Sequence, residues 1–97
     1  MVLGLLELEL HLPYCNSLKS KRKIVKSIIH KVRNRYNVSI SEMDNNDLWQ
    51  RTLIGISCVS KTENNVKNLF EKIEKEIFDT HLVNKIDKKI SIFDSRI

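Results

Sequence analysis

The stretch LELELHLPYCNSLKSKRKIVKSIIHKVRNRY, residues 6–36, decides the fold. Leu6, Leu8, Leu10 and Leu12 alternate with Glu7, Glu9 and His11. A period of two sends every second side chain to the same face, so these residues form a strand with one buried face. The strand begins near Val2 and stops at Pro13, which has no N–H to give to a ladder. Asn16 or Ser17 then offers an oxygen to cap a helix, and the period changes. Leu18, Val25, Ile28, Ile29, Val32 and Tyr36 recur at helical spacing and make one core-facing stripe, which Asn37 ends.

Working outward, Val38 to Met43 reads as a short strand and Asp44 to Gln50 as a polar loop carrying one Trp. Thr52 to Val59 is a second buried strand, with Ile54, Ile56 and Cys58 on one side. Thr62 caps a second helix that opens with Glu63 and buries Val66, Leu69, Phe70, Ile73 and Ile77. After His81 short alternations return at Leu82-Val83 and Ile90-Ser91-Ile92-Phe93, which predicts at least one more strand with its limits open. The order β-α-β-β-α-β is that of an α+β, ferredoxin-like domain: an antiparallel sheet with two helices on one face. The opposite face is left to solvent or a partner. Leu3, Leu5, Met43, Leu53 and Val59 would give it an apolar patch, which predicts a protein that is at least partly a homodimer, paired through that face or an edge.

The 97 residues are read as one domain, 1–97, with residues 88–97 the least defined part. Hydrophobic residues make up 41% and charged residues 30%, enough apolar surface to offset chain entropy. Two glycines and one proline leave no linker and no glycine-rich phosphate loop. The two cysteines, Cys15 and Cys58, read as free thiols in a reducing compartment. Cys58 belongs to an apolar strand, whereas Cys15 lies near a helix start, where a thiol pKa can fall. The N-terminus lacks a basic leader and a small-residue cleavage site, and no apolar run reaches membrane-spanning length. The expectation is a cytoplasmic protein with no membrane partner.

The net charge of +5 permits an anionic partner. Its distribution says more. The first helix holds eight basic residues, Lys19, Lys21, Arg22, Lys23, Lys26, Lys31, Arg33 and Arg35, and no acid. Four of them fall in the first turns, where the helix dipole is already positive and each cation costs a few tenths of a kcal/mol, up to about 1. The second helix mixes Glu71, Glu74 and Glu76 with Lys67, Lys72 and Lys75, so general drift toward lysine does not explain the first. Lys19, Arg22, Lys23, Lys26, His30 and Arg33 are spaced by three or four and form one stripe beside the apolar face. From residue 19 to 33 it spans about 21 Å at ~1.5 Å per residue, long enough to follow several phosphates. The bland alternative is a solvated face whose lysine stems shield the core edge. RNA is the expected partner, held along the helix. The sheet does not suit it, because its central outward positions are Glu7, Glu9, His11, Gly55 and Ser57, without the aromatic residues that stack bases.

Three segments carry a resemblance. Ser17-Leu18-Lys19-Ser20-Lys21-Arg22 resembles the Ser-Leu-Lys-x-Lys-Arg signature of the YlxP-like family of bacterial proteins. Tyr36-Asn37-Val38-Ser39 and the loop motif Asp47-Leu48-Trp49-Gln50-Arg51 resemble its two other recurrent segments, in the same order. The resemblance covers about residues 1 to 80. It departs at Tyr14 and Cys15, where the family often has small residues. It implies a ferredoxin-like fold and no established activity. It also implies ribosomal RNA or the ribosome as partner, because such proteins are often encoded beside translation-initiation and ribosome-maturation factors.

No catalytic, metal or cofactor constellation is found, and the protein is read as not an enzyme. Glu7 and Glu9 as an acid/base pair are outweighed by their ordinary reading as solvated strand residues. The stretch Asp44–Asp47 starts like a calcium loop, but its sixth position is Trp49 and its twelfth Gly55. His11, His30 and His81 lie on separate elements without ligand spacing. Trp49 is expected to fold back, mostly buried, in a small cluster with Leu48. The alternative is that it stacks on a base. Arg51 would touch phosphate or pair with Asp47.

Overall fold

The computed structural model describes residues 1–44 and 48–96. The element order is β1 Val2–His11, α1 Leu18–Arg35, β2 Ser39–Asp44, β3 Arg51–Ser60, α2 Glu63–Phe78 and β4 Asn84–Asp94. The four strands form one antiparallel sheet in the order β2-β3-β1-β4. This is the expected ferredoxin-like arrangement. The open C-terminal stretch resolves into a single strand that pairs along the whole of β1.

The alternation of β1 sorts its side chains as the period dictates. Val2, Leu6, Leu8 and Leu10 are fully buried beneath the helices, while Glu7, Glu9 and His11 are half-buried on the other face. Opposite them Ile54 and Ile56 of β3 and Ile40 of β2 complete the strand side of the core. From the helices Val25, Ile28, Val32, Val66, Phe70, Ile73 and Ile77 close it. Gly4 lets α2 come close to β1, since a Cβ there would lie 2.3 Å from Val66 Cγ1. Cys15 is 1% exposed, which removes it as an accessible reactive thiol. Cys58 is also buried, and burial pushes its thiol pKa up.

The open face has a graded chemistry. At one end Val59, Leu3 and Phe93 stand side by side across β3, β1 and β4, and all three are exposed. Phe93 joins the apolar set expected there, in which Met43 is also exposed and Leu5 and Leu53 are half-buried. Toward the other end the face becomes charged, with Arg51 bonded to Glu9 at 2.7 Å.

Candidate nucleic-acid interface

α1 forms in spite of its cations because its cap and its apolar face are both strong. The Ser17 hydroxyl accepts the Ser20 N–H at 3.1 Å, and the Ser20 hydroxyl returns a bond to the Ser17 carbonyl at 3.0 Å. Val25, Ile28 and Val32 bury one side of the helix. Lys21 lies on that same arc. It is fully buried, and its Nζ meets Glu42 Oε2 of β2 at 2.7 Å. The Thr52 hydroxyl of β3 donates to the same oxygen at 2.5 Å. One of the eight cations is therefore a structural group that ties α1 to two strands. Its spacing from Val25, Ile28 and Val32, by four, seven and eleven, was the available signal that it points inward.

The two flanks of α1 differ. Toward α2, Arg35 and the Tyr36 hydroxyl both bond to Glu76, the latter at 2.6 Å. That hydrogen bond, with the positive charges of Arg35 and Lys31, holds the Glu76 carboxyl below its usual range, although partial burial opposes the shift. The same bond and burial raise the Tyr36 hydroxyl. The motif Tyr36–Ser39 thus begins with the residue that anchors the helix end.

Elsewhere around α1, Lys19, Arg22, Lys23, Lys26, His30 and Arg33 are all exposed. Arg33 Nη2 donates to the Ile40 carbonyl at 3.1 Å, which sets Arg33 beside edge strand β2. His30 Nε2 and Asn34 Nδ2 lie 3.0 Å apart. Lys19, Arg22, Lys23 and Lys26 make no ion pair among the described residues. The stripe read from spacing is thus a continuous, solvent-facing basic flank, with Arg33 partly committed to the edge strand.

The loop motif is not a buried cluster. Trp49 is 54% exposed and Leu48 46%, so the expectation that Trp49 folds back onto the core is overturned. The reason lies beside it. Gln50 Nε2 donates to the carbonyls of Cys15 at 3.1 Å and Pro13 at 3.4 Å, and the Leu12 N–H donates to the Gln50 carbonyl at 2.9 Å. Gln50 fixes the chain in extended pairing with Leu12, whose buried side chain fills the core end, and the neighbouring Trp49 is left outside. Asp47 lies outside the described residues, and Arg51 pairs with Glu9. Tyr14, 72% exposed, sits on the loop that Gln50 holds. The exposed aromatic residues and the first turns of α1 therefore share one end of the molecule.

This geometry defines a ferredoxin-like domain with a basic helical flank and a neighbouring aromatic end. The chain belongs to the family described as "Protein of unknown function (DUF503)", whose model matches residues 3–90. It is 44% identical over 61 residues to the "Uncharacterized protein YlxP" of Bacillus subtilis (strain 168). That match spans 63% of this chain and 66% of the relative, just under two thirds of its length. Among solved structures, the de novo designed protein Foldit4 superposes with a TM-score of 0.56 at 16% identity, covering 97% of this chain and 99% of that one. The designed protein LFR1 1, with a ferredoxin fold, gives 0.53 at 19% identity, covering 96% and 84%. At such identities both speak to the fold alone. Among the described residues, no helix is long and apolar enough to cross a membrane.

Proposed function

We propose that this protein is a cytoplasmic, non-enzymatic RNA-binding factor that engages ribosomal RNA, free or in the ribosome, through the outer flank of α1. The observation that carries the reading is the acid-free helix whose cations Lys19, Arg22, Lys23 and Lys26 stand in solvent with no ion pair among the described residues, while Arg35 is matched by Glu76 and Lys21 by Glu42. Unmatched positive charge on a rigid helix lowers stability through the dipole and self-repulsion, and a polyanion relieves both. Phosphates would lie along Lys19, Arg22, Lys23 and Lys26, with Arg33 offering its remaining N–H groups. Trp49 and Tyr14 supply aromatic faces at the same end, on which unpaired bases can stack.

The test is a filter-binding titration on single-stranded ribosomal RNA fragments at several salt concentrations. Replacing Lys19, Arg22, Lys23 and Lys26 together with Glu abolishes the affinity on this reading, and the wild-type affinity falls with salt at a slope of roughly −0.7 per phosphate contact, near −3 for four. Binding is largely indifferent to sequence, because phosphate contacts position without specifying. Arg33 is left in place, because its loss would also open the β2 edge. Unchanged affinity in the fourfold variant would leave the flank as a solvated surface.

A further inference from the structure

β4 is an edge of the sheet, and the direction of its free backbone groups follows from the ladder. The Leu12 N–H bonds toward the β3 side. In an antiparallel strand each residue turns its N–H and C=O to one side, and the side alternates along the chain. The even residues of β1 therefore bond to β3 and the odd ones to β4. With the pairs Leu3–Phe93, Leu5–Ser91 and Glu7–Lys89, the odd residues of β4 face β1. Lys88, Ile90, Ile92 and Asp94 then turn their backbone groups outward, as the bond from the Lys88 N–H to its neighbour Asp87 Oδ1 at 2.8 Å bears out.

The two halves of this edge are treated differently. The first half holds Lys85, Lys88 and Lys89, a register shift beside Asp87, and that capped N–H. These are devices that keep an edge from pairing. The second half, Ile90-Ser91-Ile92-Phe93, has no charge and no bulge. On the helix side Ile90 and Ile92 floor a groove of about 430 Å³ against α2, rimmed by Glu63, Lys67, Glu71 and Lys88. On the open side Phe93 is 58% exposed.

We infer that the occupant of this edge is a second copy of the chain, paired antiparallel through β4 about a two-fold axis at Ser91, so that two sheets become one. The register follows from side-chain chemistry. Residues directly opposite share a face, so the axis must pass through a residue. At Ser91 it sets Ile90 against Ile92 of the second copy, twice, over the apolar floor. It sets Lys88 against Asp94 and lays the Lys89 stem and ammonium on the exposed ring of Phe93. At Lys89 the axis would oppose two lysines. At Ile90 it would set Lys88 against Ile92, and at Ile92 it would set Ile90 against Asp94. The outward amides of Ile90 and Ile92 become the hydrogen-bonding pairs in the Ser91 register. Ser91 faces its own copy as a non-hydrogen-bonded pair, with Cα atoms about 4.5 Å apart. The apolar row on the open face, with Met43, Leu5 and Leu53, is the rival surface, but Glu7, Glu9, Arg51 and Lys89 share that face, whereas the β4 register sets apolar against apolar and opposite charges together. The inference does not depend on RNA, since α1 lies at the other side of the sheet.

That spacing suits a disulfide, whose Cα atoms lie about 4.4–6.8 Å apart. The experiment compares mild oxidation of Ser91→Cys and Ser57→Cys, the latter on the open face of β3, with sedimentation equilibrium of the wild type from a few to roughly 200 µM. Cys15 and Cys58 are buried and do not interfere. The expected result is a wild type that approaches twice 11.4 kDa, a Ser91→Cys chain that cross-links rapidly, and a Ser57→Cys chain that does not. An Ile92→Lys variant, its fold checked by circular dichroism, sediments as a monomer. Cross-linking through Ser57→Cys alone would move the interface to the open face and overturn the proposal. A monomeric wild type whose Ser91→Cys variant cross-links no faster than Ser57→Cys would overturn it as well.

Discussion

At the scale of the residue, Lys21 and Tyr36 show what two of the recurrent segments do. Lys21 takes a full charge into the core because the Glu42 carboxylate receives it, and the Thr52 hydroxyl donates to that same carboxylate. Removing one partner of a buried pair costs about 3–5 kcal/mol, because the other is left uncompensated. Glu42 keeps 19% of its side chain in solvent, so Lys21→Ala should fall near the lower end, about 3 kcal/mol in urea unfolding. The double variant Lys21→Met, Glu42→Leu should recover part of that loss, because neither charge of the pair is then left without the other, although the buried Thr52 hydroxyl loses its acceptor; equal instability in both would show that the pair itself stabilises the fold. Tyr36 makes a prediction about pH. Its bond to Glu76 lowers the carboxylate from an ordinary 4.5 and raises the phenol from an ordinary 10.0. A lowered carboxylate contributes stability that is present above its ordinary pKa and lost as pH falls through the lowered one. A raised phenol contributes stability that is present below its ordinary pKa and lost as pH rises through the raised one. Tyr36→Phe should therefore cost about 1 kcal/mol at neutral pH and lose less further stability than the wild type below pH 4 and above pH 10. A profile shifted evenly at all pH values would assign the cost to packing. Part of the acid response should survive in the variant, because Arg35 and Lys31 also hold Glu76 charged.

At the scale of the element, the exposed Trp49 separates stability from binding. A large aromatic residue in the core costs about 3–5 kcal/mol when truncated, but this one is more than half in solvent. Trp49→Ala should shift stability by no more than about 0.5 kcal/mol while weakening RNA affinity by the ~1–3 kcal/mol of one stacked base. Thermal melts and filter binding on the same sample decide it; a large drop in melting temperature would return Trp49 to a packing role. The elements themselves were legible in the sequence because period and caps agree. Ser17 and Thr62 cap the two helices, and the Leu6–Leu12 alternation sorts β1 as the structure does. Trp49 was misread because loop burial depends on what a neighbour anchors, here Gln50 on the Pro13 and Cys15 carbonyls. The outer stripe of α1 was legible from spacing alone. The bond of Arg33 to Ile40 was not, since it depends on where β2 passes beneath the helix. The limits of β4 were open because its first half alternates lysines with an aspartate, a pattern shaped by its free edge and not by a buried face.

At the scale of the whole molecule, the two proposals place their surfaces on opposite sides of the sheet, and this makes a prediction that neither gives alone. α1 lies toward β2 and the proposed two-fold lies beyond β4. In a paired sheet of eight strands the two β2 edges stand seven spacings apart, about 34 Å at ~4.8 Å each. The basic flanks then face outward at both ends, each about 21 Å long at ~1.5 Å per residue, and a single RNA must cross between them to reach both. Binding of a long strand gains from effective concentration, by about 10²-fold or more where the strand spans both sites, whereas a strand shorter than one flank gains nothing. Ile92→Lys, which breaks the pairing but leaves α1 untouched, should therefore weaken long single-stranded RNA by about two orders of magnitude or more and leave a short oligonucleotide at its wild-type Kd. The fourfold α1 variant should lose both. Equal loss of short and long RNA in Ile92→Lys would mean that β4 itself touches RNA; no loss of either would mean that each copy binds alone. The comparison belongs at protein concentrations on both sides of the dimerisation midpoint found by sedimentation, because the gain for long RNA must disappear with the dimer as the wild type is diluted.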